Sequence, residues 1–407
     1  MLKLIKTYGK GMILMYCDNC GKKIMPGQLF CTGCGQKVEN PAYEMNQKRY
    51  CTHCGKEIEP GQIFCTGCGQ QVGKKPVNND SGVKLGMHDI TSTINNLAGE
   101  GGDVDIDLKV LFSEVFKSHT KQEQEELFVC GTEKTTPKEE EIMDEWPKPW
   151  LYMRIFLVLA LTFVCLLFIS LVFNNSNGLP GTIFVGAMTI PFALVVFFWE
   201  TNAPRNISLF EVVKLFFLGG ALSLLSTLFI YSIVDIQQLD YVGAMLVGFC
   251  EEVGKGIVIY QFLKQDKYRY ILNGLLIGSC IGAGFAVFET AGYAFNYLLA
   301  MGTGQMLDVL IIRGILALGG HVVWSAMVGG GIVINKTKNG ALVQFLLIAI
   351  VLHAIWDMPI TFGSDIFLVQ ILLTIAAWII ILTLIASGLK QVKRISNHYK
   401  KLKNTAH

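Results

Sequence analysis

The stretch FCEEVGKGIVIY, Phe249 to Tyr260, holds Glu251, Glu252 and Lys255 inside an otherwise apolar run. Its reading decides the fold, because three ionisable groups on a soluble helix would lie on a wet face, whereas in a membrane helix they need partners. The surrounding sequence settles the choice. Residues 150 to 389 are a succession of apolar segments, each long enough to cross a hydrocarbon core of about 30 Å. Spans are expected near 150–173, 180–199, 208–234, 241–263, 270–299, 306–334, 340–360 and 366–389. The expected fold class is an all-α polytopic membrane bundle of about eight transmembrane helices, preceded by a more polar front region.

Other spans carry polar groups as well. Glu289, His321, His353 and Asp357 fall within predicted helices, at depths that a rise of about 1.5 Å per residue puts in the middle or outer part of the bilayer. Each such group costs roughly 2.5–3.5 kcal/mol if charged and unpaired, so they must be paired, neutral, metal-bound or facing water. Glu251 and Lys255 are four residues apart on one helical face and offer an ion pair, while Glu252 points about 100° away. Phe285 and Glu289 share a face, as do His353 and Asp357, whose carboxylate can orient the imidazole or share its ligand.

The chemistry such groups support is hydrolysis. A desolvated carboxylate is suited to act as general base and then as acid. Two histidines and a carboxylate can hold zinc with one position left for water. Glu252 as base with Glu289, His321 and His353 as ligands fits this scheme, and so does a metal-free version in which the histidines hydrogen-bond the water and the oxyanion.

The front of the chain is a tandem repeat. YCDNCGKKIMPGQLFCTGCGQKV begins at Tyr16 and YCTHCGKEIEPGQIFCTGCGQQV at Tyr50. Each holds two CxxC pairs: Cys17, Cys20, Cys31 and Cys34, then Cys51, Cys54, Cys65 and Cys68. Four thiolates from two such turns suit a tetrahedral zinc ion, and units this short cannot bury enough apolar surface to fold without one. We expect two structural zinc ions, in ribbons at 16–36 and 50–70; a pair of disulfides is the competing reading. Few basic and no clustered stacking residues decorate the ribbons, and the formal net charge is only +2. A protein partner is therefore favoured over nucleic acid. Both units resemble zinc ribbons often found at the front of bacterial membrane proteins.

Residues 72–145 read as a polar linker, interrupted by Leu108, Leu111, Phe112, Val115 and Phe116 at helical spacing. Residues 146–390 form the expected transmembrane domain and 391–407 a basic tail. Arg205, Lys264, Lys267, Arg269, Lys336, Lys338 and the tail all fall on one side of the eight-span arrangement, whereas the opposite loops hold no lysine or arginine. By the positive-inside rule both termini are cytosolic, which favours zinc over disulfides in the ribbons. The first fifteen residues lack the apolar core of a signal peptide, and Met15, immediately before the first repeat, is a second candidate start.

EEVGK (Glu251 to Lys255), FAVFE (Phe285 to Glu289), the membrane histidine of HVVW (His321) and HAIWD (His353 to Asp357) resemble, in order, the four motifs of the PrsW family of intramembrane proteases. The resemblance covers about residues 150–390. It implies hydrolysis of a membrane-anchored protein substrate in the lipid bilayer, an anti-sigma factor being the family's example. It also implies a catalytic set of Glu251, Glu252, Glu289, His321, His353 and Asp357, with Lys255 and Phe285 supporting. Three blander readings stand beside it. Glu251 with Lys255 can be a structural ion pair. The polar set can line the path of a transporter or proton channel, although the two halves show no inverted repeat. The chain can also be a catalytically silent scaffold whose ribbons bind a partner.

Overall fold

The computed structural model describes residues 87–405, except 102–103, 133, 144, 235, 237 and 361–366, together with four two-residue strands nearer the front. The chain divides into two units, Met1–Gly82 and Val83–His407. In the first, β1 (Met15–Tyr16) pairs antiparallel with β2 (Lys23–Ile24), and β3 (Arg49–Tyr50) with β4 (Glu57–Ile58). Each hairpin brackets the first CxxC of one repeat, the arrangement expected of a ribbon. The eight cysteines themselves lie outside the described residues.

The second unit is helical. Its membrane-proximal front holds α1 (Met87–Leu97), α2 (Leu108–Leu111) and α3 (Lys121–Phe128). The long helices follow: α4 (Leu151–Val172), α5 (Leu179–Thr201), α6 (Leu209–Lys214), a π turn at Leu215–Gly219, α7 (Gly220–Tyr231), α8 (Tyr241–Leu263), α9 (Ile271–Met301), α10 (Thr303–Leu316), α11 (His321–Asn335), α12 (Ala341–Asp357) and α13 (Leu368–Thr405). Six stretches are long and apolar enough to cross a membrane: 151–172, 176–201, 209–231, 271–301, 303–335 and 368–403. The remaining two expected spans are present as helices. α8 is 23 residues long but carries Glu251, Glu252 and Lys255, and α12 has 17 residues.

Three features differ from the expectations. The sixth span is broken: α10 ends at Leu316 and α11 begins at His321, with Ala317–Gly320 between them. Residues 87–146 are no solvated spacer, because Ile94, Ala98, Leu111 and Ile142 are buried in the same core as the membrane helices. Asn95 accepts a hydrogen bond from Ser387 at 2.8 Å, and Arg394 reaches Glu100 at 2.6 Å. Burial pushes the Glu100 carboxyl above its ordinary range in spite of that arginine. The basic tail is likewise no separate segment, since α13 runs unbroken for 38 residues to Thr405.

Helix ends are satisfied by side chains far away in sequence. Glu200, at the end of α5, accepts from the backbone N–H groups of Trp150, Leu151 and Tyr152 at 2.9 Å each, and so caps α4. Asp240 caps α8 through Gly243 N–H at 2.8 Å. These two contacts fix where the helices begin, and in α8 they fix how far along its length Glu251 lies.

The centre of the bundle is α9, whose apolar stretch is 94% buried. It packs on α11 through a ladder of small residues. A Cβ added at Gly274 would lie 2.3 Å from the carbonyl oxygen of Gly329, at Gly278 2.1 Å from that of Ser325, and at Gly282 2.4 Å from that of His321. Backbone meets backbone at four-residue spacing, as small residues allow between membrane helices. Gly278→Ala should therefore force the two helices apart and cost about 1–3 kcal/mol. Thermal unfolding in detergent is the check, with Gly256→Ala as the silent comparison, because a Cβ there meets nothing closer than 3.6 Å.

Candidate active site

The glycine ladder brings the first turn of α11 against α9, and the site is built where the ladder ends. The ring of Phe285, one residue past Gly284, meets that of His321 edge-on at 5.1 Å, and Glu289 stands one turn further along. From the opposite side α8 supplies Glu251, Glu252 and Lys255, and the last turns of α12 supply His353 and Asp357. Along their helices these groups lie about 12–27 Å from the ends that carry the basic loops, so four helices present polar groups to one region inside the bundle.

Lys255 is fully buried at the middle of the cluster. Its ammonium is 2.6 Å from Glu252 Oε1 and 3.7 Å from Glu251 Oε2, and it donates to His321 Nδ1 at 2.8 Å. It also lies 4.5 Å from the centre of the Phe285 ring. The i, i+4 ion pair read in the sequence is thus the weaker of its two carboxylate contacts. Glu252, three residues away and wholly buried, is the closer partner.

Each histidine carries a carboxylate on the nitrogen remote from Glu251. His353 Nδ1 lies 2.8 Å from Glu252 Oε1, leaving Nε2 3.8 Å from Glu251 Oε2. His321 Nε2 lies 3.0 Å from Glu289 Oε2, leaving Nδ1 3.8 Å from Glu251 Oε2. Carboxylates in this position fix the tautomer; the remaining nitrogen of His353 faces Glu251 and Asp357, and that of His321 accepts from Lys255. Glu289 is held in turn by Arg313 at 2.5 Å, which also reaches Thr290 and lies over the Tyr293 ring. Asp357 Oδ2 lies 3.3 Å from His353 Nε2.

Glu251, His321 and His353 offer ligand atoms that all lie within 4.8 Å of one another. Two observations test whether a metal ion suits them. Glu251 Oε2 is buried and has no hydrogen-bond partner, an expensive state for a carboxylate oxygen unless something else binds it. Among the described residues the four carboxylates face two fixed cations, Lys255 and Arg313; with neutral imidazoles this leaves two negative charges, the complement of one divalent ion. The residues fit. The trio whose atoms converge differs from the set read in the sequence: it includes Glu251, whereas Glu289 lies on His321 Nε2.

A cavity of ≈ 1090 Å³ opens beside this cluster, lined among others by Tyr231, Glu251, Glu289, Arg313, His321 and Asp357. Glu252 and Lys255 do not line it. Glu252, the base expected from the sequence, thus lies behind the cavity wall, whereas Glu251 borders the cavity.

Three contributors escaped the sequence reading. Tyr231 donates its hydroxyl hydrogen to Glu251 Oε1 at 2.9 Å. Trp324 stacks on His353 with ring centres 4.6 Å apart and meets Trp356 edge-on at 5.5 Å. Arg313 pairs with Glu289. A signal for the tryptophans was present, since HVVW and HAIW each place one a helical turn after the membrane histidine.

Residues 209–385 match the PrsW family of intramembrane metalloproteases, and residues 17–72 match the double zinc ribbon. Searches of curated proteins and of solved structures return no match. The matched membrane region contains every residue of the cluster and begins at the first residue of α6. The zinc expected of the ribbons follows from the second match.

Proposed function

We propose, for a chain that carries a PrsW-family domain behind a double zinc ribbon, that the membrane half hydrolyses a peptide bond in a membrane-anchored protein. The observation that carries this reading is the convergence of Glu251, His321 and His353 on the wall of a large cavity within the bundle. Those three residues would hold zinc, which when bound supplies a water of lowered pKa and a Lewis acid for the carbonyl.

The chain's own groups do the rest. Glu252 and Glu289 orient the two imidazoles, while Lys255 and Arg313 offset the carboxylates. Asp357 borders the cavity beside His353, with a side chain 24% exposed, and is the group placed to take the proton of the attacking water and hand it to the leaving amine. Trp324 and Phe285 wall off the apolar side and keep the site dry. With both termini cytosolic, the site lies beyond the midplane, so the scissile bond would sit in the outer half of the bilayer or just above it. The substrate class is a single-pass membrane protein whose spanning helix frays near that level. The ribbons would recruit or regulate from the cytosol.

The test is a comparison of new protein termini in the membranes of cells making wild type or Glu251→Gln, at equal levels of folded protein. A single-pass protein that gains a terminus only with wild type establishes the activity and names the substrate. A terminus profile unchanged by the substitution under several growth stresses would overturn the hydrolase reading.

A further inference from the structure

Glu251 Oε2 faces the histidines while Glu251 Oε1 is held elsewhere, and the holder is Tyr231, at 2.9 Å from a different helix. No motif points to this tyrosine. It is the last residue of α7, separated from α6 by the π turn at Leu215–Gly219. Counting from the buried Val212, a regular helix turning about 100° per residue would leave Tyr231 about 100° away from the face that Val212 presents to the bundle. A π turn takes up one extra residue and rotates everything after it back by about that amount. Val212, Gly220, Thr227 and Tyr231 then share one side, and the first three are buried.

The turn is anchored where it would need to be. A Cβ on Gly284 of α9 would lie 1.9 Å from the Phe216 carbonyl oxygen, and one on Gly220 would lie 2.6 Å from the Gly284 backbone. The irregular turn therefore rests on the same segment of α9 that presents Phe285 and Glu289. We infer that Tyr231 is a positioning residue, aimed by the π turn, which pins one oxygen of Glu251 and so presents the other to a divalent metal ion shared with His321 and His353. This rests on the metal-site reading given above. In Tyr231→Phe, Glu251 could turn its free oxygen toward Lys255, and the three ligand atoms would no longer be pre-aligned.

The experiment uses the full chain in detergent, its ribbons loaded with zinc, titrated with Co(II). Wild type should take up one further ion per chain, with a ligand-field spectrum of its own. Tyr231→Phe should bind that ion about 10–100-fold more weakly, the range typical of groups that orient a metal ligand, with an altered spectrum. Deleting Phe217, an exposed residue of the π turn, should remove the extra residue, restore a regular helix with Tyr231 still on the same side, and leave binding as in wild type. Thr227→Val, one turn away on the same face, should bind as wild type does. If Tyr231→Phe matches wild type in affinity and spectrum, the inference is overturned while the metal site stands. If wild type itself takes up no further ion, the metal reading fails and this inference with it, whatever the terminus comparison shows about hydrolysis.

Discussion

Replacing Lys255 with methionine should destabilise the membrane unit by about 3–5 kcal/mol, the cost of leaving a buried charge without its partner. Lys255 has no exposed surface, and its ammonium is the closest cation to Glu252, whose second oxygen is already buried without a partner. Methionine keeps most of the volume and the contact with Phe285, so the loss reports charge rather than packing. Adding Glu252→Gln to the same chain should recover most of that stability, because a neutral amide tolerates the site that a lone carboxylate does not. Unfolding midpoints of the four chains in detergent complete the cycle. If the double variant is no better than Lys255→Met, the damage lies in the shape of the site and not in its electrostatics.

A second large effect is expected at Arg313. Arg313→Leu should cost about 2 kcal/mol, less than the first because the side chain is 32% exposed. The damage should also reach His321 through Glu289, the carboxylate on its Nε2. Losing such a support typically weakens metal affinity or turnover by about 10–100-fold. Glu289→Gln in the same chain should return the stability but not the function, since an amide repairs the charge imbalance and still cannot fix the imidazole as a carboxylate does. Stability and Co(II) affinity, measured on the same preparations, separate the two. Recovery of both in the double variant would mean that Glu289 does not orient His321.

The bundle was legible in the sequence because hydropathy reports length and depth directly, and the charged run at Glu251–Lys255 marks a residue set that only mutual contact makes tolerable. What could not be read was partner choice. Glu252 and Lys255 are three apart and Glu251 and Lys255 four apart, and helical geometry permits either pair. Only the approach of α11 and α12 decides that Glu252 takes Lys255 and His353 while Glu251 keeps an oxygen free. The contact of Arg313 with Glu289 was hidden for a related reason, because the break at Ala317–Gly320 frees α10 from the direction of α11. Tyr231 was hidden by the π turn, whose effect is a change of face without any change of composition. Residues 72–145 were read as linker from their polarity, because Ile94, Leu111 and Ile142 are too widely spaced to form one periodic stripe.

The unbroken course of α13 sets a limit on how this chain can change over evolutionary time. At one station along it the Trp378 indole donates to the Leu318 carbonyl oxygen at 2.8 Å, and Thr374 crowds Gly319, both in the gap that precedes His321. Further along, Ser387 and Arg394 are engaged by Asn95 and Glu100. Each residue gained or lost between these stations would swing one set about 100° around the axis and shift it about 1.5 Å. Side chains along this interval can be exchanged, but an insertion or deletion there would uncouple one station from the other. Lineages descended from this chain are expected to preserve the interval from Thr374 to Arg394 as a fixed count while its composition drifts.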